Sequence, residues 1–322
     1  MSETPSPIWP PAAIFPAQGL TADEQSIEPR AWRFVTSDGY HLGILSWPVL
    51  RGPKRGSVLV LHGVQSHAGW YHGLGRRLAG HGYEAHFPDR RGSGSNSENR
   101  GHTPSAKRLV DDLLELNSAL KTHEHGTSSP HAVVGISWGG KLAICLAAQH
   151  PQAFQAAALI CPGLHPRVGV SGREKLGVGL ALITGRSASK YFPIPLADPR
   201  LFTENPQGQA FIAADPLSLR TASASLLFAS RVIDTWVKRA PAQIQIPLLL
   251  MLAGQDLVVH NQQTRNYFQT IPSPAKQIIE YPEGHHTLEF DPNPRQYATD
   301  LCAWLDSQFS QQTANLGPTI LV

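Results

Sequence analysis

Short runs of consecutive apolar residues alternate along this chain with longer stretches in which apolar residues recur every three or four positions. The runs occupy residues 57–61, 132–134, 156–161 and 247–253. Their lengths and apolar composition are typical of strands buried on both faces of a parallel sheet. The longer stretches, such as residues 105–122, place leucines on one face and predict helices. Strands and helices in alternation predict right-handed βαβ units.

Two regions depart from this alternation. Residues 31–36 and 41–47 flank a Ser-Asp-Gly turn, and their aromatic and branched content predicts a β-hairpin. Between Pro162 and Pro247 prolines recur, and we predict only one helix there, from about residue 219 to 239. Because a structureless loop of that length is uncommon in a compact domain, we expect an inserted cap over the carboxyl ends of the strands.

The pattern therefore predicts an α/β fold, with a mostly parallel sheet flanked by helices and an inserted helical cap. In the second half of the core it predicts a helix over residues 261–269, a last strand over 277–281 and a closing helix over 294–309. The predicted boundaries are residues 1–28 for a loosely ordered N-terminal arm, 29–162 and 246–310 for the core, 163–245 for the cap, and 311–322 for a C-terminal tail.

Composition narrows the class of protein. The chain has 322 residues, of which 41% are hydrophobic and 16% charged, so it can bury a sizeable core. The net charge is only +3, and the densest basic pair, Arg90-Arg91, lies in a Gly/Ser loop without aromatic neighbours. Nucleic acid is therefore not an expected partner.

Location is predicted from the termini, the cysteines and the apolar runs. The first twenty residues lack a basic segment and are interrupted by prolines, which argues against a signal peptide. No run of eighteen apolar residues predicts a membrane span. The three cysteines stand in apolar surroundings and are too few for a disulfide framework. We expect a cytoplasmic protein.

The stretch from His131 to Leu146 carries the strongest chemical signal. It consists of a β-branched run, the turn Gly-Ile-Ser-Trp-Gly at residues 135–139, and a helical segment. G-x-S-x-G between a strand and a helix is the nucleophile elbow, in which a strained turn raises the serine hydroxyl above the sheet. The motif by itself also describes an ordinary glycine-rich turn. The flanking strand and helix make Ser137 the predicted nucleophile.

A serine nucleophile needs a base, and the base needs a carboxylate to orient it. At an elbow of this kind both partners follow the serine, each in a loop after a strand. Asp256 follows the 247–253 strand, although it could also be a loop acid or a helix N-cap. His285 and His286 follow the last strand. We favour His286 as the base, for its distance from that strand and the residues after it, and expect His285 to line the entrance.

The oxyanion formed by such an attack requires preorganised N–H donors. We expect one from the backbone of Trp138, directly after the nucleophile, and one from Val64, in the loop after the 57–61 strand. His62, in the same loop, is expected chiefly to shape the turn. The candidate substrate-binding residues are His62, His285, Leu226 and Trp236. Leucines and aromatic residues in the cap favour an apolar acyl group.

Metal and cofactor motifs are weak in this sequence. His123-Glu124-His125 ends a predicted surface helix without the H-E-x-x-H spacing or a cysteine pair, so no metal site is predicted. The glycines at 92 and 94 fit neither phosphate-binding spacing, so no cofactor is predicted.

Several motifs occur together in one order. They are His62-Gly63, a D-x-R-G-x-G-S turn at residues 89–95, the elbow at 135–139, G-x-D at 254–256, and His286. With this set, residues 30–309 resemble the α/β-hydrolase superfamily, and more closely its monoacylglycerol lipase and lysophospholipase branch. The chain departs from that branch at Trp138, where the lipases usually carry Met. The S-W-G trio is similar to proline iminopeptidases, but their HGGPG loop is replaced here by HGVQS.

The resemblance implies an α/β-hydrolase fold and a serine hydrolase that cleaves carboxylic esters through an acyl-enzyme, with Ser137, Asp256 and His286 as its triad. The expected partner is a small-molecule ester with an apolar acyl group. Two alternatives stay open. One is an amidase, peptidase or acyltransferase with the same triad, and the other is a non-catalytic binding protein of the same fold.

Overall fold

The computed structural model describes residues 9–123, 129–169, 171–273 and 275–315. Ten strands occur in this part of the chain: β1 (Arg30–Val35), β2 (His41–Trp47), β3 (Gly56–Leu61), β4 (Tyr83–Pro88), β5 (His131–Ile136), β6 (Ala156–Ile160), β7 (Tyr191–Pro193), β8 (Thr221–Ser223), β9 (Leu248–Ala253) and β10 (Lys276–Tyr281). Eight of them form one sheet in the order β1-β2-β4-β3-β5-β6-β9-β10, and β7 pairs with β8. The two pairings of β2 are antiparallel and the rest of the large sheet is parallel, so the mostly parallel sheet is confirmed.

Helices connect the strands. They are α1 (Ala22–Gln25), α2 (His72–Gly80), α3 (Ala106–His123), α4 (Gly139–Gln149), α5 (Gly172–Ile183), α6 (Pro206–Ala214), α7 (Ala224–Arg239), α8 (Asn261–Gln269) and α9 (Arg295–Asn315). Helix α4 packs on β5 and α3, and α2 packs on β4 and α9. Ser105 caps the start of α3, because its Oγ accepts from the backbone N–H of Arg108 at 3.0 Å.

The central strands explain where a site can form. Every residue of β3, β5, β6 and β9 is buried, as expected for strands covered on both faces. The parallel registers pair Leu61 with Gly135 and Ala253 with Tyr281, at the carboxyl ends of their strands. The loops after β3, β5, β9 and β10 therefore leave the sheet at the same edge, which is where ligands bind in open α/β sheets.

The cap segment, residues 163–245, contains more regular structure than predicted. The single predicted helix begins at Ala224, after β8, and not near residue 219. Helices α5 and α6 were not predicted, because prolines and glycines interrupt the apolar pattern around them. A local signal for α5 was present, since Ser171 and Glu174 form a capping box at its start.

Both ends of the described chain differ from the prediction. Residues 9–28 are not loosely ordered: Trp9, Ala13 and Phe15 are buried, and the Phe15 ring lies 4.3 Å from that of Phe290. The first five residues of the predicted tail continue α9, which ends at Asn315. The other residues of the arm and the tail, 1–8 and 316–322, lie outside the described part.

Candidate active site

Ser137 stands between β5 and α4 in a strained conformation. Its φ is +52°, in the left-handed region that non-glycine residues seldom adopt. Its N–H donates to Ile160 at 2.9 Å, and its carbonyl accepts from Gly140 at 2.9 Å and Gly163 at 2.7 Å. A Cβ on Gly135 would lie 2.6 Å from the Cα of Gly140. Strand β5 and helix α4 therefore approach more closely than any other residue at position 135 would allow.

The three predicted triad side chains lie in one hydrogen-bonded line. His286 Nε2 is 2.8 Å from Ser137 Oγ, and His286 Nδ1 is 2.8 Å from Asp256 Oδ2. The other oxygen of Asp256 accepts from the N–H groups of Val258 and Val259, at 2.8 and 2.9 Å. A carboxylate can only accept, so Nδ1 carries the proton and the lone pair of Nε2 faces the serine hydroxyl.

His285 is turned away from this line. Its Nδ1 lies 3.1 Å from Asp291 Oδ1, and its backbone N–H donates to the same carboxylate at 3.0 Å. Its Nε2 lies 3.7 Å from Glu204. His285 does not line the cavity beside Ser137, so its assignment to the entrance was wrong. The contacts with Asp291 and Glu204 occupy its ring instead.

The two predicted oxyanion donors flank the serine. The loop that carries Val64 lies against the serine, because a Cβ added to Gly63 would lie 3.3 Å from Ser137 Cβ. Both Val64 and Trp138 line the cavity. Within the described ranges, the backbone N–H of neither residue donates to a protein acceptor. Two N–H groups beside a nucleophile are thus available to an incoming oxygen.

His62 supports the loop that carries Val64. Its Nδ1 lies 2.7 Å from the carbonyl oxygen of Gly63, and its Nε2 accepts from the backbone N–H of Arg90 at 2.9 Å. Burial, with the nearby charge of Arg90, lowers the pKa of His62 well below 6.5, so the ring is neutral. His62 does not line the cavity. These contacts agree with the expectation that His62 shapes the turn. Its assignment to substrate binding was wrong, because both ring nitrogens are engaged by the backbone.

Arg90 was missed as a site residue. Its buried guanidinium donates to the carbonyl oxygens of Gly63 at 3.2 Å and Val64 at 3.0 Å, and its Cζ lies 4.8 Å from the centre of the Trp138 ring. Burial lowers the pKa of Arg90 to about 10, which leaves it charged at neutral pH. Its place directly after Asp89 in the D-x-R-G turn was the available signal.

Asp215 ties the cap segment to the same loop and was also missed. Its carboxylate lies 3.0 Å from His67 Nε2 and accepts from Trp70 Nε1 at 2.7 Å and Ser218 Oγ at 2.8 Å. His67 and Trp70 follow the Val64 loop, whereas Asp215 and Ser218 follow α6. The cap segment is therefore anchored next to the candidate oxyanion site.

A cavity of about 810 Å³ opens beside Ser137. Its apolar lining comes from the loops after β3 and β9 and from the cap segment: Val64, Val178, Leu182, Ile194, Leu196, Leu226, Leu227, Val258 and Val259. Leu226, a candidate substrate-binding residue, lines the cavity. Trp236, also on α7, does not line the cavity. Its indole is partly buried against the hydrophobic core instead. A volume of this size suits a small-molecule ligand.

The described ranges contain neither a candidate metal site nor a helix that could span a membrane. There, His, Cys, Asp and Glu side chains form no group of three or more that could hold a metal ion. Of the His-Glu-His run, Glu124 and His125 lie outside the described residues. Among the described helices, none combines the length and the apolar character that crossing a bilayer requires.

Comparison with known proteins adds to this geometry. Residues 52–293 match a family model described as serine aminopeptidase, S33. The monoacylglycerol lipase of Mycolicibacterium smegmatis is 25% identical over 254 residues, which cover 79% of this chain and 89% of that protein. An uncharacterized abhydrolase domain-containing protein of Dictyostelium discoideum is 26% identical over 278 residues. The match covers 84% of this chain but only 28% of the Dictyostelium protein.

A solved structure agrees with the topology. The crystal structure of a soluble variant of monoglyceride lipase from Saccharomyces cerevisiae, in complex with a substrate analog, superposes with a TM-score of 0.75 at 20% identity. The match covers 88% of this chain and 98% of that one. The predicted α/β-hydrolase fold is thereby confirmed. Because the family model matches most of the sequence, this chain belongs to the serine aminopeptidase S33 family of the α/β-hydrolases, and within that superfamily it resembles the monoacylglycerol lipases.

Proposed function

We propose that this protein is a serine hydrolase that cleaves carboxylic esters through an acyl-enzyme. The observation that carries the proposal is the line in which the His286 ring lies 2.8 Å from Ser137 Oγ on one side and 2.8 Å from Asp256 on the other. A hydroxyl, an imidazole and a carboxylate in this order make up the proton path that a serine nucleophile requires.

In the proposed reaction, His286 Nε2 takes the proton of Ser137 as Oγ attacks the ester carbonyl. The negative charge that develops on the carbonyl oxygen is held by the N–H groups of Val64 and Trp138. His286 then gives its proton to the departing alcohol, and Asp256 stabilises the imidazolium throughout. Water, activated by the same imidazole, releases the acid from Ser137.

The proposed substrate class follows from the cavity and from the relatives. The lining is largely aliphatic, with residues such as Leu196, Leu226 and Val258 around the space next to the nucleophile. The Mycolicibacterium smegmatis relative is named a monoacylglycerol lipase. Both features favour an ester with an apolar acyl chain, because burying each methylene contributes about 0.8 kcal/mol.

The test is a panel of p-nitrophenyl esters and monoacylglycerols of graded acyl length, with Ser137→Ala as the matched variant. We expect hydrolysis by the natural protein with a preference among chain lengths, and a fall of about five decades in kcat for Ser137→Ala. Hydrolysis by Ser137→Ala at the natural rate would overturn the proposal.

A second candidate is favoured by the description of the matching family, which names an aminopeptidase. The same triad would serve an amidase, a peptidase or an acyltransferase. Matched p-nitrophenyl esters and p-nitroanilides of one acyl group separate ester from amide turnover. An added alcohol that competes with water for the acyl group would reveal transfer. We expect the ester to be the better substrate and water the acceptor.

We also propose a cytoplasmic location and a division of the chain into a core and a cap. A cytoplasmic location agrees with the burial of Cys145, Cys161 and Cys302, which are free thiols. The division into a core and a cap at residues 163 and 245 agrees with the position of α5, α6 and α7 between β6 and β9.

A further inference from the structure

The charged residues of the cavity beside Ser137 are mostly basic. Four cationic side chains line it together with the aliphatic residues: Lys141, Arg167, Lys175 and Arg231. Asp234 is the one acidic residue among the described lining residues. A ligand space with this composition has an excess of positive charge that neither the triad nor an apolar acyl chain requires.

Asp234 is shared by two of these cations. Lys141 Nζ lies 2.6 Å from its Oδ1, and Arg231 Nη1 lies 3.2 Å from its Oδ2. Lys141 is buried and Arg231 is exposed. One carboxylate can balance one of the two charges, so this part of the cavity stays cationic.

Arg167 is fixed in place but not neutralised. Its backbone N–H donates to the carbonyl oxygen of Val258 at 2.8 Å, and its Nε donates to that of Val259 at 3.0 Å. These contacts anchor the side chain to the loop that follows Asp256. Within the described residues, neither the guanidinium of Arg167 nor the ammonium of Lys175 is paired with a carboxylate.

We propose that this cavity binds esters that carry an anionic group, a carboxylate or a phosphate, in addition to an apolar chain. Arg167 and Lys175 would bind the anion while the ester carbonyl lies at Ser137. The inference rests on the proposed function and specifies its substrate class. A guanidinium held at Nε still presents its two terminal NH2 groups, which suit two acceptor oxygens of one anion. Because Arg167 and Lys175 are both exposed, their attraction for an anion should weaken with salt.

The first test compares two p-nitrophenyl esters of six-carbon acids that end in a carboxylate or in the isosteric carboxamide. We expect kcat/KM to be about tenfold higher for the carboxylate at low ionic strength, with the ratio falling toward one in about 1 M salt. Arg167→Gln should remove most of this preference, measured as the ratio of the two kcat/KM values, whereas Arg167→Lys should retain part of it.

Arg173→Gln is the matched control, since Arg173 lies on α5 with Lys175 but does not line the cavity. It removes the same charge and should leave the ratio unchanged. Equal kcat/KM for the two esters, or an equal loss of preference in Arg167→Gln and Arg173→Gln, would overturn the inference.

A binding experiment separates this inference from the proposed function. Ser137→Ala protein is titrated calorimetrically with decanoate, decyl phosphate and decanamide. We expect both anions to bind about tenfold more tightly than the amide, and Arg167→Gln to abolish the difference. Whichever of decanoate and decyl phosphate binds more tightly shows whether the site prefers a carboxylate or a phosphate. If no ester is turned over but this difference is found, the proposed reaction fails and the anion site stands; if the three ligands bind equally, the anion site fails.

Discussion

Nη1 of Arg90 lies 3.2 Å from the carbonyl oxygen of Gly63, on the peptide unit whose N–H belongs to Val64. In a trans peptide the C=O and the N–H point in opposite directions. A donor on the carbonyl therefore fixes where the Val64 N–H points, and it also polarises that N–H. His62 Nδ1 approaches the same oxygen at 2.7 Å, so the peptide is held from two sides.

We predict that Arg90→Gln lowers kcat for esters about 10- to 100-fold with little change in KM, because the oxyanion donor loses its fixed orientation. Arg90→Lys keeps the charge but not both hydrogen bonds, so its kcat should lie between those of the natural protein and Arg90→Gln. The specific measurement is affinity for an alkyl boronic acid, which mimics the tetrahedral intermediate, compared with affinity for the product acid. A variant that binds both as the natural protein does would show that Arg90 has no such positioning role.

Asp256→Asn tests the orientation of the imidazole. The amide can still accept from Val258 and Val259, so the loop should keep its shape. An amide nitrogen facing His286 Nδ1 would favour the wrong tautomer, with the proton on the nitrogen that faces Ser137. We expect kcat to fall about four decades with an unchanged melting temperature. Steady-state kinetics and thermal unfolding measure the two quantities, and a kcat within tenfold of the natural value would contradict the triad.

The elbow packing predicts a stability difference between two glycines. A Cβ on Gly135 would lie 2.6 Å from Gly140 Cα and 2.7 Å from the Cβ of Ala143, whereas one on Gly179, in helix α5, would meet no atom within 4 Å. Gly135→Ala should therefore destabilise the protein by about 2 kcal/mol or more. Gly179→Ala should stabilise it by about 0.5–1 kcal/mol. Urea unfolding measures the free energy of unfolding of both variants. Equal values would show that Gly135 is not required by the close packing of β5 on α4.

Glu289 predicts a pH dependence of stability. Burial raises its pKa from 4.5 to about 7, against the opposing charge of Arg77 and the hydrogen bond from Tyr297. The folded protein therefore binds this proton more tightly than the unfolded chain. The associated stability is fully present below about pH 4.5 and is lost as the pH rises to about 7, by up to about 3 kcal/mol.

The check compares the free energy of unfolding from pH 5 to pH 8 in three proteins. The natural protein should lose stability over this range relative to Glu289→Gln, which has no proton to release. Glu283→Gln, at an exposed position, should follow the natural protein. Parallel curves for the natural protein and Glu289→Gln would contradict the assignment.

The sequence predicted those features that short-range patterns determine. The strands around the site are continuous apolar runs, and the candidates Ser137, Asp256 and the pair His285-His286 could be identified because each follows one of those strands. The choice between His285 and His286 depended on the direction of two adjacent side chains, which a sequence does not contain. In the structure, Asp291 and Glu204 hold His285.

The features that were missed depend on contacts between distant segments. Arg90 lies in a glycine-rich turn, and its contacts with Gly63 and Trp138 form only when that turn meets the loop after β3 and the elbow. Asp215 gains its partners, His67 and Trp70, only when the cap segment meets the loop after β3. The packing of Phe15 on Phe290 joins the N-terminus to a segment near the other end of the chain. Sequence periodicity carries no information on such pairs.

The most direct test of this account is the rate at which a fluorophosphonate probe labels Ser137, followed by peptide mass spectrometry. We expect the probe to label Ser137 in the natural protein and to react at least about 10³-fold more slowly in His286→Ala, with circular dichroism showing that the variant is folded. An unlabelled natural protein, or equal labelling of Ser137 in both proteins, would contradict the claim that His286 activates this serine.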